Sequence, residues 1–190
     1  AAAVLGFEFD VQLLSKMLYT DIFVEVLEAE QGQIWHLLSE LRYIFKHALL
    51  RDAAYDMQLH SRLRELHYLA AMTTEQVYAD QLPSYYDILA YHYKNAYQLG
   101  MDAAAERTLH YLRKAGEAAQ KNFANVAALD YYEQLLPLLQ DAYEQAQVHL
   151  QRGAVLELLG NWADAENDYR AVLTLMRAGV AMHVRAQLAL

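Results

Sequence analysis

Residues 116–132 recur at 153–169: Gly116, Ala128 and Tyr132 stand 37 positions before Gly153, Ala165 and Tyr169. In each copy an alanine follows the glycine by twelve residues, and a tyrosine follows four later. A position without a side chain lets two helix backbones approach, a small residue sits at the crossing, and an aromatic fills the adjoining space. A chain carrying this pattern twice is expected to form antiparallel helical hairpins that stack into a solenoid, an architecture whose usual work is binding other protein segments. No comparable signal for catalysis occurs in the 190 residues.

Composition narrows the reading. Two prolines and seven glycines leave room for long helices, and 56% hydrophobic residues suffice for a core. The absence of cysteine excludes disulfides, thiolate metal sites and thiol nucleophiles, and fits a cytoplasmic location. A net charge of −9 weighs against a chain built to hold nucleic acid. No apolar run approaches a membrane span. The first residues lack the basic flank of a signal peptide. There is no initiator methionine and the last residues are apolar, so a fragment of a longer protein is expected, with a homodimer through an exposed C-terminal helix as one outcome. Charge is unevenly spread. Residues 41–67 carry five bases against three acids, whereas residues 122–169 carry eight acids and one base, Arg152.

Apolar spacing predicts a helix over residues 8–19 through Phe9, Leu13, Leu14 and Met17, and a second from Ile22 through Leu27 after Thr20-Asp21. Ile34-Trp35-His36-Leu37-Leu38 and Leu41-Arg42-Tyr43-Ile44-Phe45, separated by Ser39-Glu40, read as a small β-hairpin. Two helices and a hairpin outline a partial winged helix over residues 1–46. Helical signal then continues over residues 47–190. Leu50, Ala54 and Met57 share one face, and Leu63, Leu66, Ala70 and Val77 the next. Ser84 with Asp87, and Asp141 with Glu144, have capping-box spacing; Gly100 and Gly160 mark helix ends, and Asp102 can cap the helix that follows Gly100. Trp162, Ala165, Tyr169, Val172 and Met176 form the last apolar seam.

The repeats resemble tetratricopeptide repeats, with Gly153, Gly160, Trp162, Ala165 and Tyr169 at pattern positions and Phe123 where the next copy has Gly160. A third hairpin is indicated by Gly100, Ala105 and Leu109. The run Tyr43-Ile44-Phe45-Lys46-His47-Ala48-Leu49-Leu50-Arg51-Asp52-Ala53-Ala54-Tyr55, then Arg62-Leu63-Arg64-Glu65-Leu66-His67, is similar to the segment joining a winged helix to such repeats in bacterial STAND-class signalling ATPases. Val4-Leu5-Gly6-Phe7-Glu8-Phe9 resembles the start of their winged helix. Those proteins often carry a class III adenylate or guanylate cyclase domain. The resemblance implies a mainly all-α fold, an irregular tetratricopeptide-like α–α superhelix after a partial winged helix, within a multidomain signalling protein. No G-x-x-x-x-G-K-[ST] loop is present, so nucleotide chemistry would belong to the parent.

Other chemistry is weaker. His60 and His67 with Glu65 between them lack the one-turn spacing of a helical metal pair. Asp52/Asp56 and Asp164/Asp168 are one turn apart, which suits a solvated face or a helix start better than acid–base catalysis. Ser15, Ser39, Ser61 and Ser84 lie in no nucleophile elbow. Tyr85, Tyr86, Tyr91, Tyr93 and Tyr97 suit helix crossings better than a base-stacking platform. A DNA-reading helix over residues 22–30 would carry three acids and no base. No catalytic residue, cofactor or metal is therefore expected. The leading expectation is a non-catalytic regulatory module that binds a protein segment, or the parent's own ATPase domain, in a groove. Arg113, Glu117, Gln120 and Lys121 would line it from one copy, and Leu150, Ala154 and Glu157 from the next. A DNA-binding transcriptional regulator with sensing repeats is the alternative.

Overall fold

A computed structural model describes residues 1–188, with side chains to residue 177. The protein is mainly α-helical with one small antiparallel sheet. It divides into two compact units, Ala1–Thr108 and Leu109–Leu190.

In the first unit, α1 (Ala2–Leu5) leads to β1 (Glu8–Asp10), α2 (Val11–Leu18), α3 (Phe23–Gln31), β2 (Trp35–Ser39), β3 (Arg42–Phe45), α4 (Ala48–Asp56), α5 (His60–Val77) and α6 (Tyr86–Gln98). The expected hairpin is present, with β2 and β3 antiparallel and irregular between Leu37 and Ser39. The expected helix over residues 8–19 begins later. Glu8–Asp10 instead pairs with Ile44, Tyr43 and Arg42, giving sheet order β1-β3-β2. Asp10 ends the strand and starts α2, its Oδ1 accepting from the Gln12 and Leu13 amides at 2.7 and 3.0 Å. Phe9 is consequently a strand residue, with its ring 4.9 Å from Trp35 and 5.7 Å from Phe45.

Two apolar clusters hold this unit. One joins Phe9, Leu14, Ile22, Val26 and Phe45. In the other, Val4 and Met17 pack with Leu63, Leu66 and Ala70, so α5 shares its core with the first two helices. Three local expectations change. Met57 is 82% exposed because it follows the end of α4 rather than extending its inner face. Ser84 makes no cap: a 3-10 segment (Ala79–Tyr85) precedes α6, and Tyr85 occupies the cap position. Asp102 likewise opens a 3-10 turn, and α7 (Ala105–Lys121) starts beyond it.

The second unit contains the Leu109–Lys121 portion of α7, followed by α8 (Asn125–Leu135), α9 (Ala142–Leu158) and α10 (Trp162–Leu188). Asp141 caps α9, accepting from the Glu144 amide at 2.9 Å. The glycine–tyrosine pattern has a direct physical cause. A Cβ on Gly116 would lie 2.7 Å from Tyr132 Cε1, and one on Gly153 would lie 2.6 Å from Tyr169 Cε1. Each tyrosine ring lies flat where the glycine has no side chain, and Ala128 and Ala165 are buried beside it. Trp162 does not join the last seam; it is 67% exposed, and Ala165, Asp168 and Tyr169 form the inner face. The expected C-terminal dimer contact falls outside the described side chains. No described helix is long and apolar enough to cross a membrane.

Candidate protein-binding face on α7 and α9

The seven expected groove residues occupy two stripes. Arg113, Glu117, Gln120 and Lys121 follow helical spacing on α7, and Leu150, Ala154 and Glu157 do so on α9. Arg113 Nη2 lies 3.5 Å from Glu144 Oε2, linking the two helices near one end of the stripes. Glu117 is neutralised on its own helix by Lys114 at 3.1 Å.

Gln120 and Glu157 carry a second task. Gln120 Oε1 accepts the Tyr132 hydroxyl at 2.9 Å, and Glu157 accepts that of Tyr169. These acceptors are themselves 37 residues apart, so the repeat extends from packing to hydrogen bonding. Each tyrosine crosses the glycine and is tied one turn further along the same helix. Burial first, then Glu117, pushes the Tyr132 hydroxyl up to about 12, and burial then Glu157 raises Tyr169. Both remain neutral donors at any physiological pH. Lys121 and Leu150 are left exposed on the stripes, with Ala154 half-buried between neighbours. Such a face offers apolar contact and dispersed polar groups rather than a carboxylate clamp.

Helix ends repeat as well. Phe123 and Gly160 both adopt left-handed backbone, at φ 59° and 76°. Phe123 N donates to Gln120 O and Ala124 N to Ala119 O, matching Gly160 N to Glu157 O and Asn161 N to Leu156 O. A phenylalanine thus occupies a turn that its counterpart fills with glycine, and it is 85% exposed.

The acidic pair Asp164/Asp168 separates. Asp164 is in the first turn of α10, whereas Asp168 is 1% exposed. Asp168 accepts from Arg152 Nε at 2.7 Å and Nη2 at 2.5 Å, and its Oδ1 lies 2.7 Å from His149 Nδ1. The reading of Asp168 as a solvated charge is therefore corrected: it is a buried ionic tie between α9 and α10. The sole base within residues 122–169 was the available sequence signal.

His60 and His67 are also separated. His60 is exposed at the start of α5, while His67 is buried, with Nε2 2.8 Å from the Tyr55 hydroxyl and Nδ1 3.0 Å from His92 Nδ1. Burial, then Arg51, lowers His67 to about 4; burial, then His67, lowers His92 to about 3. Among the described residues no group of three or more histidine or carboxylate side chains comes together for a metal ion. The tyrosine patch disperses: Tyr85 stacks on Tyr78 at 4.0 Å, Tyr91 edges His67, and buried Tyr93 donates to Glu75. No protein-family model matches the chain, and no curated protein matches it.

Proposed function

We infer that this chain is a non-catalytic protein-binding module whose α7–α9 face receives a segment of another protein or domain. The observation carrying this reading is the duplicated Gly–Tyr–acceptor lock, which sets α7 against α8 and α9 against α10 in the same way. Repeating one rigid hairpin places corresponding stripes side by side, the means by which helical repeats build an extended recognition surface. The resemblance to STAND-class ATPases makes a signalling protein the proposed source, with the repeats serving as an effector or autoinhibitory surface. The acidic α3, with Glu25, Glu28 and Glu30, disfavours the DNA-binding alternative.

The test is random-peptide display against the immobilised full chain, followed by titration of an enriched peptide. Lys121→Glu and Leu150→Asp alter exposed stripe positions without touching the tyrosine locks. Each is expected to weaken binding at least tenfold with an unchanged circular dichroism spectrum. Arg113→Glu is a poorer probe, because it also sets a carboxylate against Glu144. Unaltered affinity in both variants refutes the assignment.

A further inference from the structure

The first unit contains a cleft of about 520 Å³ between α2, α3 and the β2–β3 turn. Its size falls within the range of binding clefts for small molecules. Buried Ile22 and Val26 border it, and exposed Phe23, Leu27 and Leu41 add apolar surface. Side chains of this kind are normally covered where several adjoin a concavity.

The walls are already pinned in place. The Val11 amide donates to Leu41 O at 2.9 Å, joining the start of α2 to the hairpin turn. Ser15 Oγ donates to Thr20 O at 2.6 Å, and Asp21 Oδ1 accepts from the Phe23 amide at 2.9 Å, fixing the α2–α3 corner. A cleft held by hydrogen bonds on two sides requires little ordering when a partner enters.

Charge selects the occupant. Asp21 and Glu40 stand on the rim with Lys16, and residues 21–40 contain five acids and no lysine or arginine. Two carboxylates against the single Lys16 leave the rim net negative, so an acidic partner would meet like charge and a basic one opposite charge. We propose that this cleft docks a basic amphipathic helix of another protein, its apolar face against Phe23, Leu27 and Leu41 and its lysines or arginines toward Asp21 and Glu40. The site lies wholly in the first unit and does not depend on the α7–α9 reading.

The experiment titrates the full chain with three labelled model peptides: an amphipathic leucine–lysine helix, its leucine–glutamate counterpart, and a scramble of the first with equal charge. Fluorescence anisotropy should show micromolar binding of the first, weakening as salt rises, with at least tenfold weaker binding of the others. Phe23→Ser/Leu27→Asn should lose at least tenfold, and Glu40→Lys several-fold, while Lys121→Glu has no effect. Because Phe23, Leu27 and Glu40 are exposed, these variants should keep wild-type circular dichroism. Equal binding of the scramble, equal binding of the acidic helix, or indifference to the cleft variants overturns the proposal. Sedimentation showing a dimer that Phe23→Ser/Leu27→Asn dissolves would assign the cleft to a second copy and overturn it equally.

Discussion

Replacing Gly116 with alanine should destabilise the protein, although alanine is the better helix former. The added Cβ would lie 2.7, 3.1 and 3.2 Å from three Tyr132 ring carbons, where carbon atoms prefer about 3.5–4.0 Å. The ring must retreat by nearly an ångström, yet it is fully buried and its hydroxyl is tied to Gln120. Overpacking of this kind costs about 1–3 kcal/mol, and the helix-propensity gain from glycine to alanine returns about 1 kcal/mol. The net expectation is a loss of up to about 2 kcal/mol, read from urea denaturation followed by far-ultraviolet circular dichroism. Gly153→Ala should cost less, because Tyr169 is only partly buried and can slide, despite a closer 2.6 Å approach. In a Tyr132→Leu background the obstruction is gone, and Gly116→Ala should become neutral or stabilising. Stabilisation by Gly116→Ala with Tyr132 intact would refute the close-crossing argument.

Acid should weaken the first unit. His67 and His92 have folded values near 4 and 3, below about 6.5 for an unfolded histidine, so the unfolded chain takes protons that the folded one refuses. Their contribution is complete above pH 6.5 and declines as pH falls toward 4 and then 3; by pH 5 the loss is about 2 kcal/mol per imidazole. His92→Leu should remove roughly half of this slope in denaturation measured from pH 7 to 5. Phe123→Gly should raise stability by about 0.5–1 kcal/mol, since a left-handed non-glycine residue costs about 1–2 kcal/mol and the side chain buries little; thermal denaturation checks this. Asp168→Asn should cost about 3 kcal/mol in urea denaturation, at the low end for a broken buried pair because Arg152 and His149 retain some solvent access.

The parts legible in the sequence are those governed by local spacing. Gly116 and Tyr132, or Gly153 and Tyr169, are sixteen residues apart along a hairpin, so their contact follows once two helices and a short turn are assumed. The Asp141 cap and the Gly100 and Gly160 helix ends are similarly local. Non-local pairings were hidden. β1 has three residues and exists because β3 offers it an edge more than thirty residues away, whereas its phenylalanine also fits a helical pattern. The Asp168–Arg152–His149 tie and the His67–His92 contact require knowing which helix faces meet. That Arg113, Glu117, Gln120 and Lys121 share one face of α7, and Leu150, Ala154 and Glu157 one face of α9, follows from helical spacing, but the use of Gln120 and Glu157 as tyrosine acceptors does not, since a hydroxyl's direction is set by packing.

The most direct test of protein-segment binding on α7 and α9 is an amide-resolved nuclear magnetic resonance titration of the full chain with a display-selected peptide. Binding at this face should shift amides centred on residues 113–121 and 150–157, and the shifts should be lost in Leu150→Asp. Saturable binding that leaves those amides unmoved would contradict it.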